Sequence, residues 1–200
     1  MGGPGTSNRG NLAGEAVGEA TWDILTGKVN PSGKLSESFP LRLQDNPTYG
    51  TFATDHDEED YHEGIFVGYR YYDLHEMPVR FPFGHGLSYT DFTYSDLTVS
   101  EEDNDVKVRF TVTNSGQVAG KEVAQVYVAN HVSRVEMPVK ELRDFTKLAL
   151  APGESQTVTL TLPRRAFSYY NVAQEQWEAD NGEYEIMVGS SSRDIRLSLS

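Results

Sequence analysis

From Leu87 to the C-terminus, apolar residues recur at every second position, and this period of two restricts what the chain can fold into. Val106, Val108, Phe110 and Val112 alternate with Lys107, Arg109 and Thr111. Ala124, Val126 and Val128 alternate with Gln125 and Tyr127, and the pattern returns at Val158–Leu160–Leu162, Tyr184–Ile186–Val188 and Ile195–Leu197–Leu199. Successive side chains of a strand point to opposite faces, so each run reads as a strand with one face turned to a core. Asn114-Ser115-Gly116, Pro152-Gly153-Glu154 and Asn181-Gly182 supply turns between them. With runs from Phe92 to Val99 and from Phe145 to Leu150, about seven short strands fit, the spacing of an immunoglobulin-type antiparallel sandwich.

Residues 1–44 read differently. Leu12, Ala16, Ala20 and Ile24, with Val17 and Leu25 beside them, have the spacing of an amphipathic helix. Gly10, Gly14 and Gly18 form a second row, which predicts close approach to a neighbouring backbone, and Gly27 is placed to cap the helix. Asn30-Pro31-Ser32-Gly33 turns the chain into a short strand, Lys34–Phe39, which Pro40 is expected to end. One helix and one strand are too small to bury their own apolar faces, so this segment reads as the end of a larger α/β unit.

Between the two regions lies a connector, residues 45–86. It begins with the acidic run Asp55–Asp60 and continues through the aromatic- and glycine-rich stretch Tyr61–Asp73 to Phe81-Pro82-Phe83-Gly84-His85-Gly86. So many aromatics favour burial against protein on both sides. Arg70 lies among five tyrosines or phenylalanines, as a brace or as a ligand contact. Glu63 is its nearest candidate partner and Asp73 the next.

Other chemistries find little support. With 17 basic and 30 acidic residues the net charge is -13, which repels nucleic acid and anionic membranes. No cysteine is present, and no run approaches the roughly 20 apolar residues of a membrane span. Gly27–Leu35 departs from the phosphate-binding loop in spacing and in having Leu35 after the lysine. Asp55–Asp60 lacks the glycine and spacing of a calcium loop, and reads as a solvated charge run. His56, His62, His75 and His85 have no zinc-site spacing, and no nucleophile elbow occurs. Met1-Gly2-Gly3-Pro4-Gly5-Thr6 matches a loose acylation pattern, but a glycine run entering a helix accounts for the same letters. No metal, cofactor or compartment is assigned.

Gly27-x-x-Asn30-Pro31-Ser32-Gly33-Lys34-Leu35, Phe39-Pro40 and Tyr61-x-Glu63-Gly64-Ile65-Phe66-Val67-Gly68-Tyr69-Arg70-Tyr71-Tyr72-Asp73 carry a family resemblance. So do Phe81-Pro82-Phe83-Gly84-x-Gly86-Leu87-Ser88-Tyr89-Thr90, Val112-Thr113-Asn114-x-Gly116, Pro138-x-Lys140-Glu141-Leu142 and the closing Gly182-x-Tyr184 to Ser191. In these motifs, in this order, the chain resembles the C-terminal part of glycoside hydrolase family 3, the β-glucosidase and β-xylosidase group. The resemblance implies a mainly β fold: a fibronectin type III-like antiparallel sandwich (87–200), preceded by a connector (45–86) and a short α/β remnant (1–44). It also implies retaining hydrolysis of a glycoside by the intact enzyme.

Retaining glycosidases need two carboxyl groups about 5–5.5 Å apart. In the family these lie in the barrel and in the upstream α/β sandwich, and no acidic residue here matches either motif. No catalytic, substrate-binding or metal role is therefore transferred to any residue, and the chain alone is expected to be inactive. The implied partners are the N-terminal barrel and the rest of the α/β sandwich, or a separately encoded piece that supplies them. Substrate would be reached only through those. The alternative is a free-standing sugar- or protein-binding module using Tyr169, Tyr170 and Trp177. Without its partner domains, Tyr61–Asp73 is expected to be partly exposed, and residues before about Phe81 to be open to proteases.

Overall fold

A computed structural model describes residues 14–52 and 61–200. Gly10, Leu12, His56 and the Asp55–Asp60 run lie outside the described residues. In chain order the elements begin with helix α1 (Val17–Leu25), strand β1 (Phe39–Pro40), a 3-10 turn (Leu43–Asp45), helix α2 (Tyr69–Leu74) and strand β2 (Val79–Phe81). Then follow β3 (Phe92–Glu102), β4 (Asp105–Asn114), β5 (Gly120–Asn130), β6 (Glu141–Leu150) and β7 (Ser155–Leu162). A second 3-10 turn (Arg164–Phe167) leads to β8 (Tyr169–Asn171), β9 (Gln176–Glu178), β10 (Tyr184–Ser191) and β11 (Asp194–Leu199).

The seven expected strands are all present, as β3 to β7, β10 and β11. They form a three-stranded sheet, β3-β4-β7, and a four-stranded sheet, β11-β10-β5-β6. Every pairing is antiparallel. Registers such as Phe110↔Val158 and Val126↔Val188 place apolar residues side by side on the inner faces. The core so formed includes the fully buried Val108, Phe110, Val112, Ala124, Val126 and Val188, closed by Leu148, Leu150 and Leu162. Truncating a side chain such as Phe110 to alanine removes about 3–5 kcal/mol. Asn114 has a structural reason to stand where it does. Wholly buried, it accepts hydrogen bonds from Thr90 Oγ1 and the Gly116 amide, and donates to the Val118 and Leu150 carbonyls.

Three expectations for the first half need correction. The strand foreseen over Lys34–Phe39 is only Phe39–Pro40, and Pro40 lies inside it, paired with Val79. A proline has no N–H to give a ladder, so it is tolerated where the strand is short and at an edge. Second, α1 buries none of its residues. Nothing lies within 4 Å of a side chain added at Gly14 or Gly18, so the close approach expected of that row is not made among the described residues. Third, the connector, to which no helix was assigned, contains α2. Gly27, by contrast, adopts φ 75° just past α1 and donates to the Ile24 carbonyl, as a capping glycine should.

Candidate functional site: the docking surface between connector and sandwich

Strand β5 is buried on both faces. Its inward residues Ala124, Val126 and Val128 belong to the core, while Gln125, Tyr127 and Ala129, which should face water, are covered as well. The cover is the connector. Tyr69 of α2 packs with Tyr127, Ala129 and Met187, flanked by Phe83, Leu142 and Ile195. The Tyr69 ring stacks on Phe83 at 4.7 Å and meets Tyr127 edge-on at 6.2 Å, both favourable aromatic geometries. Burial pushes the Tyr69 and Tyr127 phenols upward from their ordinary value of 10.0. Tyr127 donates to Gln125 Oε1, and Gln125 Nε2 donates to the Gly84 and Ser190 carbonyls, so this buried amide ties connector, β5 and β10 together. Gly84 is obligatory there. Its φ is 79°, and any side chain would collide with Gln125.

Two motifs from distant parts of the sequence mate at this surface. Tyr69-Arg70-Tyr71-Tyr72-Asp73 meets Lys140-Glu141-Leu142 residue against residue. The Leu142 amide donates to Tyr69 Oη at 2.8 Å, Arg70 Nη2 lies 3.0 Å from Glu141 Oε1, and Lys140 Nζ donates to Asp73 Oδ2 at 2.7 Å. Arg193 completes the joint. Its Nε donates to Asp73 Oδ1 at 3.0 Å, and its Nη2 to the Tyr72 and Met77 carbonyls. The Asp73 side chain is only 7% exposed. Arg70 is therefore a structural brace, but its partner is neither Glu63 nor Asp73. The latter is saturated by two other cations, while Arg70 reaches Glu141, which Arg143 also contacts. Sequence neighbours were a poor guide because the ion pair closes between elements some 70 residues apart.

The Asn30–Leu35 segment, read as a turn entering a strand, is instead a clamp. Asn30 Nδ2 donates to the Ala119 carbonyl, and its Oδ1 accepts from Ser88 Oγ and the Tyr89 amide. Lys34 Nζ and Tyr94 Oη both donate to Glu122 Oε1, at 3.2 and 2.9 Å. Burial, reinforced by the Glu122 charge, drives the Tyr94 phenol far upward. Backbone bonds from Leu35 to His85, and from Gly84 to Leu35, close the clamp. His85 stacks on Phe81, and burial with Lys34 nearby lowers its affinity for a proton.

The arrangement holds the connector to the sandwich. Among the described residues, the carboxyl groups that the fold shifts are Asp45, Glu178 and Asp194. All three are held below their ordinary values by hydrogen bonds, from Arg42, from Asn171 and Gln176, and from Arg196. A general acid needs the opposite shift. Among the described residues no three His, Asp or Glu side chains gather as a metal site, and no described helix could cross a membrane. His62 and His75 lie on the exposed connector, and Tyr169 is buried whereas Tyr170 and Trp177 are half exposed on the β8–β9 ribbon.

Before α2, apolar side chains are open to solvent. Trp22, Leu25, Leu43, Phe52, Tyr61, Ile65 and Val67 are all exposed, Tyr61 by 87%. A three-plus-four sandwich bearing such an uncovered appendage defines a fibronectin type III-like module attached to part of a further domain. Residues 9–89 match the glycosyl hydrolase family 3 C-terminal domain, and residues 122–192 the fibronectin type III-like domain. The chain therefore corresponds to a C-terminal portion of a family 3 glycosyl hydrolase. It is 50% identical to thermostable β-glucosidase B of Acetivibrio thermocellus, over 93% of this chain but 25% of that protein. It is 45% identical to an exo-α-(1→6)-L-arabinopyranosidase of Bifidobacterium breve, over 92% of this chain and 24% of that one. Its fold superposes on a Bifidobacterium adolescentis family 3 β-glucosidase with a TM-score of 0.90 at 42% identity, covering 94% of this chain and 28% of the other. The chain thus spans about a quarter of the length of the curated relatives it matches.

Proposed function

We propose that these residues are the supporting C-terminal portion of a retaining β-glucosidase-type enzyme, organised as the end of an α/β sandwich (1–44), a connector (45–86) and a fibronectin type III-like domain (87–200). The observation that carries this reading is the asymmetry of the connector. Its Tyr69–Asp73 stretch is locked to the sandwich, whereas apolar side chains before it, from Trp22 to Val67, stand uncovered. Such a patch is the mark of an interaction surface. Its partners are the barrel and the remainder of the α/β sandwich, and the sandwich buttresses them through the connector.

No residue of the chain supplies a catalytic carboxylate in this reading, and substrate is met only through the partner domains. Relatives of nearly equal identity carry names for a β-glucosidase and for an arabinopyranosidase, which suits a portion that supports several sugar specificities. The test is an assay of the purified 200-residue chain on an aryl β-glucoside. No turnover is expected. Turnover that follows the protein through repurification would overturn the assignment.

A further inference from the structure

The β8–β9 ribbon and the 3-10 turn before it frame a concavity of about 600 Å³, remote in sequence from the connector joint and unused by the supporting role. That volume is in the range of small-ligand sites. Arg134, Arg164, Arg165, Trp177, Glu178 and Asp180 line it. The two carboxylates are already engaged. Asp180 is buried and lies 3.2 Å from Arg134, and Glu178 accepts from Asn171 and Gln176. Arg164 and Arg165 have no carboxylate among the described residues. Arg164 makes a single 3.4 Å contact with the neutral Asn104 side chain, and Arg165 lies 4.1 Å over the Trp177 ring. Two arginines lining one concavity without a carboxylate partner among the described residues are unexpected in a chain whose acidic residues outnumber its basic ones 30 to 17.

The aromatic partner adds a second kind of recognition. Tyr170 and Trp177 are directly opposite in the ribbon register, so both rings project from one face. Their centroids are 5.6 Å apart, and each residue is about half exposed. A guanidinium stacked on an indole keeps its N–H donors in its own plane, pointing sideways and free to grip a carboxylate bidentately. The bland reading, a cation–π brace, explains Arg165 alone. It leaves Arg164 and the paired exposed rings without a role.

We propose that this concavity is a binding site for carboxylated, uronate-type oligosaccharide, with Arg164 and Arg165 holding the carboxylate and the Trp177–Tyr170 strip packing against the apolar face of a sugar ring. An open cleft lined by Trp177, with the exposed Tyr170 ring beside it, suits an extended chain of sugars, which presents ring faces and regularly placed carboxylates together. This goes beyond the supporting role, and its failure would leave that role untouched.

The test is titration of the full 200-residue chain with trigalacturonate, followed by calorimetry and by the Trp177 indole NMR signal. Cellotriose serves as the neutral control and acetate as the free anion. Trigalacturonate is expected to bind, at least about ten-fold more tightly than cellotriose, and to weaken as salt rises from about 50 to 500 mM. Arg164→Gln and Arg165→Gln should each weaken it about ten-fold or more, with the thermal unfolding midpoint unchanged. Trp177→Phe should retain binding and Trp177→Ala lose it. The proposal is overturned by no binding up to about 10 mM, by cellotriose binding equally well, by indifference to the arginine substitutions, or by acetate matching trigalacturonate per carboxylate.

Discussion

The two α-helices among the described residues are both short, and they fare differently. Helix α2, only six residues long, buries Tyr69 and Tyr72, whereas α1, at nine residues, buries nothing and exposes Trp22 and Leu25 to about two-thirds. Propensity does not explain this. Helix α1 has the clearer periodicity, and isolated helices of either length are marginal in water. What differs is the partner. Helix α2 finds the outer face of β5 and β10 within the same chain, whereas α1 buries no residue and is tied at Ile24, whose carbonyl accepts from the Tyr89 hydroxyl. A helix belongs to the body that covers its apolar face, and by that criterion α2 is part of the sandwich while α1 awaits another body.

The largest test of this contrast compares two aspartates. Asp73→Ala strands the largely buried Lys140 and the partly buried Arg193, and should destabilise the sandwich by about 3 kcal/mol or more in urea denaturation. Asp23→Ala removes a pair whose lysine is mostly exposed and should change stability by less than about 1 kcal/mol. Equal effects would break the distinction. Two glycines come next, with opposite signs. Gly84→Ala imposes a positive φ and a collision with Gln125, for a loss of about 1–3 kcal/mol. Gly18→Ala meets open space within α1 and should raise helix content, favouring the helix by up to about 1 kcal/mol.

Limited proteolysis sharpens the boundary. The simple expectation of cleavage anywhere before Phe81 gives way to cutting up to about Val67, with Tyr69 onward surviving as part of the core. Equal resistance of residues 14–52 would show that α1 is held after all. The smallest effect lies in the alkaline range. Burial raises the Tyr69 and Tyr127 phenols above 10.0, so their contribution to folding is complete below pH 10 and is lost as pH rises beyond it. Tyr127→Phe should make the loss of stability above pH 10 shallower in denaturant titrations at stepped pH.

Much of the sandwich could be read from the chain because a period of two has one meaning where turns bracket it. The seven strands followed from that alone. What escaped was the identity of β5's second face: Gln125 and Tyr127 look like solvent-facing members of an alternation, and only the folded connector shows them covered. Helix α2 escaped because it is only six residues long and is entered through Gly68, which adopts φ 59°. The turn at Asp103-Asn104, where both residues adopt positive φ, carried a signal in its Asp-Asn pair that went unused. For the docking surface every participating motif was recognisable as a string, but no string says which other string it touches. Tyr69–Asp73 and Lys140–Leu142 are joined only by the fold.

The double burial of β5 has a consequence for solubility. Val123-Ala124-Gln125-Val126-Tyr127-Val128-Ala129 is uncharged, free of proline and rich in β-forming residues, the composition of segments that nucleate cross-β aggregates. Its neighbours β6 and β10 occupy its edges, and α2 with Phe83 shields its outer face. Since synthesis runs from the N-terminus, the shield leaves the ribosome before the segment it protects. Removing residues 69–86 would therefore do more than loosen a joint. It would deliver a hazardous strand into solution with one face bare.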